Sequence, residues 1–134
     1  MTKSNMKNLV PLDYVEFMNV PCRNSKHGLV IDVEPHVLEN LAAKAVILER
    51  IPLRGMEVRF LRKTQGLSLE KFASKMGLTA ATVLHWEKAT NKRLDNVNEA
   101  AVRALMAELL DIEIPGKFSA LIGTHLHVIQ VQAV

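Results

Sequence analysis

The fold is decided in the stretch Leu67–Thr90, LSLEKFASKMGLTAATVLHWEKAT. Ser68 offers a hydroxyl as N-cap for a helix through Met76, in which Leu69, Phe72, Ala73 and Met76 recur at the three- and four-residue spacing of a buried stripe. Gly77 ends that helix, because glycine takes up the left-handed turn beyond a helix without steric cost. Thr79 can cap the next helix, Ala80 to about Lys88, with Val83 and Trp86 facing inward. Two short helices crossing steeply through a tight turn need a small side chain at closest approach, a glycine at the corner and an apolar residue beneath. Ala73, Gly77 and Val83 meet those needs in order.

Upstream, Met56, Phe60 and Leu61 mark one side of a helix starting near Leu53, Arg54, Arg59, Arg62 and Lys63 make the rest basic, and Gly66 stops it. Downstream, a helix is expected from about Val97 to Leu110 with Ala101, Leu105 and Leu109 inward. Pro35 opens a further helix whose Val37, Leu38, Leu41, Ala45 and Leu48 share a face. It ends before Pro52, since the residue preceding a proline avoids the helical region. Tyr14–Val20 and Leu29–Val33 read as strands of a hairpin, with the polar stretch Pro21–Gly28 as its turn. After a break at Asp111–Gly116, Lys117–Ile122 reads either way. His125–Val134 reads as a strand through Val128, Ile129, Val131 and Val134. Such a terminal strand pairs with the amino-terminal hairpin or forms a contact between two chains. The expectation is a mainly α protein in three parts: residues 1–51 with a small α/β hairpin-and-helix region, residues 52–112 with the helix-turn-helix, and residues 113–134 with a C-terminal strand.

A length of 134 residues suits one compact domain, or a small one with arms. The chain is 49% hydrophobic and 23% charged, and no apolar run approaches the roughly 20 residues of a membrane span. The amino-terminal stretch lacks the apolar core of a secretory signal, so a cytoplasmic protein is expected. Cys22 is the single cysteine, which excludes an intramolecular disulfide and a cysteine-held zinc. Positive charge is concentrated in the middle: residues 52–95 carry nine basic and four acidic side chains, residues 1–51 six of each, and residues 96–134 two basic and four acidic. A basic centre is where a polyanion would bind, although it also describes a solvated face.

With these residues in view, Leu53–Glu87 resembles the helix-turn-helix of the Xre family, the phage-repressor and Cro type of DNA-binding domain with its lambda-repressor-like fold. The resemblance extends over about 60 residues if the following helix is included. It implies a transcriptional regulator, acting as a repressor on a two-fold symmetric operator in double-stranded DNA, and a homodimer. It also implies an ion pair between Arg62 and Glu87; the alternative is two independent surface charges. Carried over by position, the base readers are Ala80, Ala81, Thr82 and His85, where the alanines depart from the long polar side chains common in the family. Thr79 and Ser68 serve as caps and as candidate phosphate contacts. Lys88, Lys92 and Arg93 match the loop along the DNA backbone, although Ala89 and Thr90 stand where glycine is common. The opening Leu53, Gly55, Glu57, Arg59, Leu61 and Arg62 is similar to antitoxins of the HigA and MqsA group, without the zinc-binding cysteines of the latter, which implies autoregulation and a toxin partner. The same fold without DNA affinity would be a protein-interaction module.

Nothing in the chain resembles a catalytic constellation, a phosphate-binding glycine loop or a cofactor site, so a non-enzyme without cofactor or metal is expected. His125 and His127 have a spacing that can bind metal but lack a visible third ligand, and His27 and His36 are isolated.

Overall fold

The computed structural model describes residues 2–114 and 116–133. Pro115, within the expected break, and Val134, the last residue of the expected strand, lie outside the described residues. The chain runs β1 (Thr2–Lys7), β2 (Val15–Ser25), β3 (Gly28–Ile31), α1 (Pro35–Leu48), α2 (Gly55–Thr64), α3 (Leu69–Lys75), α4 (Ala80–Lys88), α5 (Asn96–Leu109), a 3-10 turn at Phe118–Leu121 and β4 (Ile129–Gln132).

This overturns the mainly α expectation. Five helices make up 44% of the molecule and a four-stranded mixed sheet 21%, a small α/β fold. The sheet is larger than the sequence implied for two reasons. First, β1, TKSNMK, is polar without alternation, yet it pairs antiparallel with β2 from Thr2↔Cys22 to Lys7↔Glu16. Second, β2 continues through Pro21, which the sequence reading had placed in a turn. The Pro21 carbonyl still accepts from Asp32 N–H at 2.8 Å, just past the end of β3, so the proline keeps its acceptor side in the sheet. The true hairpin turn is Lys26–His27, closed by the Ser25↔Gly28 pair. A bulge interrupts β2, where Asn19 adopts φ 56° and its N–H donates to Asn5 Oδ1 at 3.0 Å.

β4 settles where the terminal strand goes. It lies parallel to the first half of β2, with Val15↔Ile129 and Phe17↔Val131 in register and all four side chains buried. The intervening residues face out, and Gln130 Nε2 donates to Glu16 Oε1 at 3.2 Å. β3 occupies the second half of the same edge, and β1 the opposite edge.

Helix α1 touches β4, α2 and α5 and so joins the sheet to the remaining helices. Its buried face is Leu38, Ala42, Ala43, Val46 and Ile47, whereas Val37 and Leu48 of the expected face are exposed, Leu48 by 55%. The run LAAKAVIL is apolar around most of its circumference, so spacing alone does not orient it. In α5 the expected Ala101 and Leu109 are only partly buried, and the fully buried positions include Glu99 and Arg103. No helix among the described residues is long and apolar enough to cross a membrane.

Candidate functional site

The site grows from the caps that define α3 and α4. Ser68 Oγ accepts from Lys71 N–H at 3.1 Å and Thr79 Oγ1 from Thr82 N–H at 3.3 Å, so both hydroxyls serve as N-caps. Between the helices Gly77 has φ 69°, its N–H reaches the Ser74 carbonyl at 3.1 Å and Leu78 N–H reaches the Ala73 carbonyl at 2.9 Å. This paired closure fixes where α3 stops and α4 begins. Phe72, Ala73 and Val83 are fully buried beneath the turn.

From behind, α4 is held by an ion pair. Arg62 Nε donates to Glu87 Oε2 at 2.7 Å and Arg62 Nη2 to Glu87 Oε1 at 2.8 Å, while Arg62 Nη1 takes the Leu67 carbonyl at 2.9 Å. The two side chains are 12% and 4% exposed, so this is a bidentate fork in a dry setting and not two surface charges. A second anchor is Gly55 at the start of α2. A Cβ there would collide with the Trp86 carbonyl oxygen and lie 2.7 Å from the Ala89 carbonyl oxygen, so the α2 backbone approaches the end of α4 as only glycine allows.

The loop after α4 caps α2 in return. Thr90 O accepts from Met56 N–H at 3.1 Å and Lys92 O from Gly55 N–H at 3.3 Å, and Leu94 N–H donates to Leu53 O at 2.9 Å. Two of the unpaired amides of the α2 N-terminus are thereby satisfied, and the loop has a fixed course without the family's glycine. Leu53 is buried and Arg54 is the extended N-cap, so α2 begins at Gly55, two residues later than expected.

Glu57, which the sequence showed only as part of a motif, is a buried junction. Its Oε1 accepts from Arg54 N–H and Arg54 Nε, each at 2.9 Å, and its Oε2 from Arg54 Nη2 at 2.7 Å and from Tyr14 Oη at 3.0 Å. Burial and the adjacent carboxylate push the Tyr14 hydroxyl far above its ordinary range, so it remains a donor. The strand region and α2 are joined through this bond.

Of the residues singled out for contact, Ala81, His85, Lys88, Lys92, Ser68 and Thr79 are exposed, and Ala80 and Thr82 are half-buried. Ala81, His85 and Lys88 share one outward face of α4, and His85 and Lys92 line a cleft of about 180 Å³ together with Trp86 and Asp95. Thr82 Oγ1 lies 3.0 Å from Thr79 Oγ1 within the cap. Arg93 Nε and Nη2 donate to the two oxygens of Glu99 at 2.9 and 3.0 Å, and Nη2 also donates to the Gly123 carbonyl at 2.9 Å, so part of its guanidinium holds the fold while the side chain stays 38% exposed beside the cleft. Sequence reading missed Leu84 altogether: it belongs to the outward face and is 38% exposed. The signal was available, since Leu84 follows an inward residue by one and Ala81 by three.

His125 and His127 precede β4 and do not lie on it. Their ring centres are 5.0 Å apart, and His127 Nε2 is 3.7 Å from Glu49 Oε2. Among the described residues no three His, Cys, Asp or Glu side chains gather as a metal site would require. No family model, curated protein or solved structure matches this chain.

Proposed function

We propose that the chain is a sequence-specific DNA-binding transcriptional regulator of the Xre type, a cytoplasmic repressor that binds a two-fold symmetric operator as a homodimer. The observation that carries this reading is the Arg62–Glu87 fork behind α4, which immobilises a short helix while Ala81, Leu84, His85 and Lys88 stay exposed on its far side. A helix that enters a major groove needs that combination of a rigid back and an uncovered front. Lys88 and Lys92 flank the front, and neither is in an ion pair among the described residues, which suits contact with phosphates on either side of a groove.

Titrating a labelled pool of genomic fragments at rising salt tests the proposal. The logarithm of affinity should fall linearly with the logarithm of salt concentration, with a slope of about −0.9 for each phosphate neutralised. Failure to retain any fragment at low salt would reject DNA binding. Within the same reading, the motif from Leu53 to Arg62 supports an autoregulating antitoxin of the HigA and MqsA group, with a toxin as protein partner. The apolar front of α4 favours a second reading, a protein-interaction module on the same helices, and the same titration separates the two.

A further inference from the structure

We infer that α4 reads the C5-methyl groups of pyrimidines, with Ala81 and Leu84 as the contact surface and His85 as the hydrogen-bonding reader beside them. The inference rests on the DNA-binding proposal above and specifies what the site recognises. Residues 81, 84, 85 and 88 fall on one helical face at spacings of three and four. On that face the side chains are methyl, isobutyl, imidazole and ammonium, in order from the N-terminus of the helix.

The two threonine hydroxyls of the first turn are engaged within the cap. Thr82 Oγ1 is paired with Thr79 Oγ1, whose acceptor capacity caps the helix, and Ala80 is half-buried with nothing polar to offer. A base pair is distinguished in the major groove by donors, by acceptors and by one apolar group, the methyl at C5 of thymine. A front made of Ala81 and Leu84 has no donor or acceptor with which to distinguish base edges, and A·T and G·C each present three such groups in the major groove. It can discriminate for the methyl. Leu84 lies outside the buried side of α4, which Val83 and Glu87 supply, and keeps 38% of its surface exposed. His85, one residue on, adds a single donor or acceptor next to the methyl contact, and Lys88 continues the stripe toward the backbone of the groove.

Thymine and 5-methylcytosine present the same methyl, and the experiment distinguishes them. Duplexes are selected by the full chain from two randomised pools, one unmodified and one methylated at CpG cytosines. Recovery of a motif with adjacent thymines from both pools assigns thymine, and enrichment confined to the methylated pool assigns 5-methylcytosine. The recovered duplex is then remade without the methyls, with deoxyuridine for thymine or plain cytosine for its methylated form. Each methyl lost should weaken binding about fourfold, the factor expected for one buried methyl-sized group. Leu84→Ala should narrow the affinity difference between methylated and unmethylated duplexes to the part that Ala81 supplies, while a cooperative thermal melt shows that the chain remains folded. Equal affinity of the unaltered chain for duplexes with and without methyls overturns the methyl inference and leaves DNA binding standing. Retention of no duplex from either pool overturns both.

Discussion

Glu99 concentrates more of the fold's electrostatics than any other single side chain described above. Its Oε1 accepts from Leu53 N–H and from Arg93 Nε, each at 2.9 Å, and its Oε2 accepts from Arg93, Arg103 and Gly123 N–H. It is fully buried, as is Arg103, which donates to the Leu121 carbonyl at 2.9 Å and to the Ile51 carbonyl. Burial alone would push the Glu99 carboxyl upward, but the hydrogen bonds from Arg93, Gly123 and Leu53, together with the Arg93 charge, outweigh it and hold the group below its ordinary value. A carboxylate depressed in the folded state stabilises the protein at pH values above its unfolded pKa, and that stabilisation disappears as pH falls through the folded value. The protein should therefore lose thermal stability on acidification below about pH 4.5. Glu99→Gln removes the counter-charge of two arginines and should cost about 3–5 kcal/mol at neutral pH. Melting temperature measured against pH for both proteins checks this. The unaltered chain should show the steeper acid limb, and parallel curves would mean that Glu99 is not the group being titrated.

At the scale of elements, the ends of α2, α3 and α4 were legible because each of them has a local chemical cause. Ser68, Thr79, Gly66 and Gly77 act on their own helix ends, and all four perform the cap or stop that their chemistry dictates. The orientation of α1 and α5 was not legible, because it depends on partners distant in sequence. Arg103 is buried on α5 only because the carbonyls of Ile51 and Leu121 and the Glu99 carboxylate receive it. The pairing of Glu99 with Arg103 four residues on was the one visible sign, and on an amphipathic helix it reads as a solvated pair. Gly55 belongs to the same class: its constraint comes from the Trp86 and Ala89 carbonyls, more than thirty residues away. This leads to a comparison of two glycines. Gly66→Ala forces a side chain onto a φ of 64° with open space around it, and should cost about 1 kcal/mol without changing DNA affinity. Gly55→Ala drives α2 and the end of α4 apart, should cost about 1–3 kcal/mol, and should also weaken duplex binding because the reading helix is displaced. Thermal melts paired with duplex titrations measure both effects. Equal duplex affinity in the two variants would show that the contact of α2 with α4 does not set the position of α4.

For the molecule as a whole, the C-terminal segment is the least legible in sequence and among the most constrained in structure. The stretch Lys117–Thr124 has no periodicity, and its role rests on main-chain groups, with a glycine required at Gly123 because a Cβ there would lie 2.8 Å from the Pro52 backbone. Arg50 Nη2 takes the Ser119 and Ile122 carbonyls at 2.6 and 2.8 Å and its Nε takes the Ile122 carbonyl at 3.0 Å, while Arg93 and Arg103 take those of Gly123 and Leu121. Two of these arginines, Arg93 and Arg103, also face the Glu99 carboxylate, and the carbonyls of this strap supply acceptors that Glu99 cannot, including all of those that Arg50 takes. Beyond it β4 covers Val15 and Phe17 along the edge of β2. Truncation after Ile114 would remove both at once. It would leave Arg103 with two of its acceptors, uncover two fully buried residues of β2, and open a hydrophobic strand edge to pairing with other chains. The truncated chain should not show a cooperative thermal transition, and it should aggregate at concentrations where the full chain remains dispersed. Circular dichroism melts with light scattering check this. A truncated chain that melts cooperatively with α2–α5 intact would mean that those helices fold without the strap, and that the arginine cluster can be satisfied by water instead.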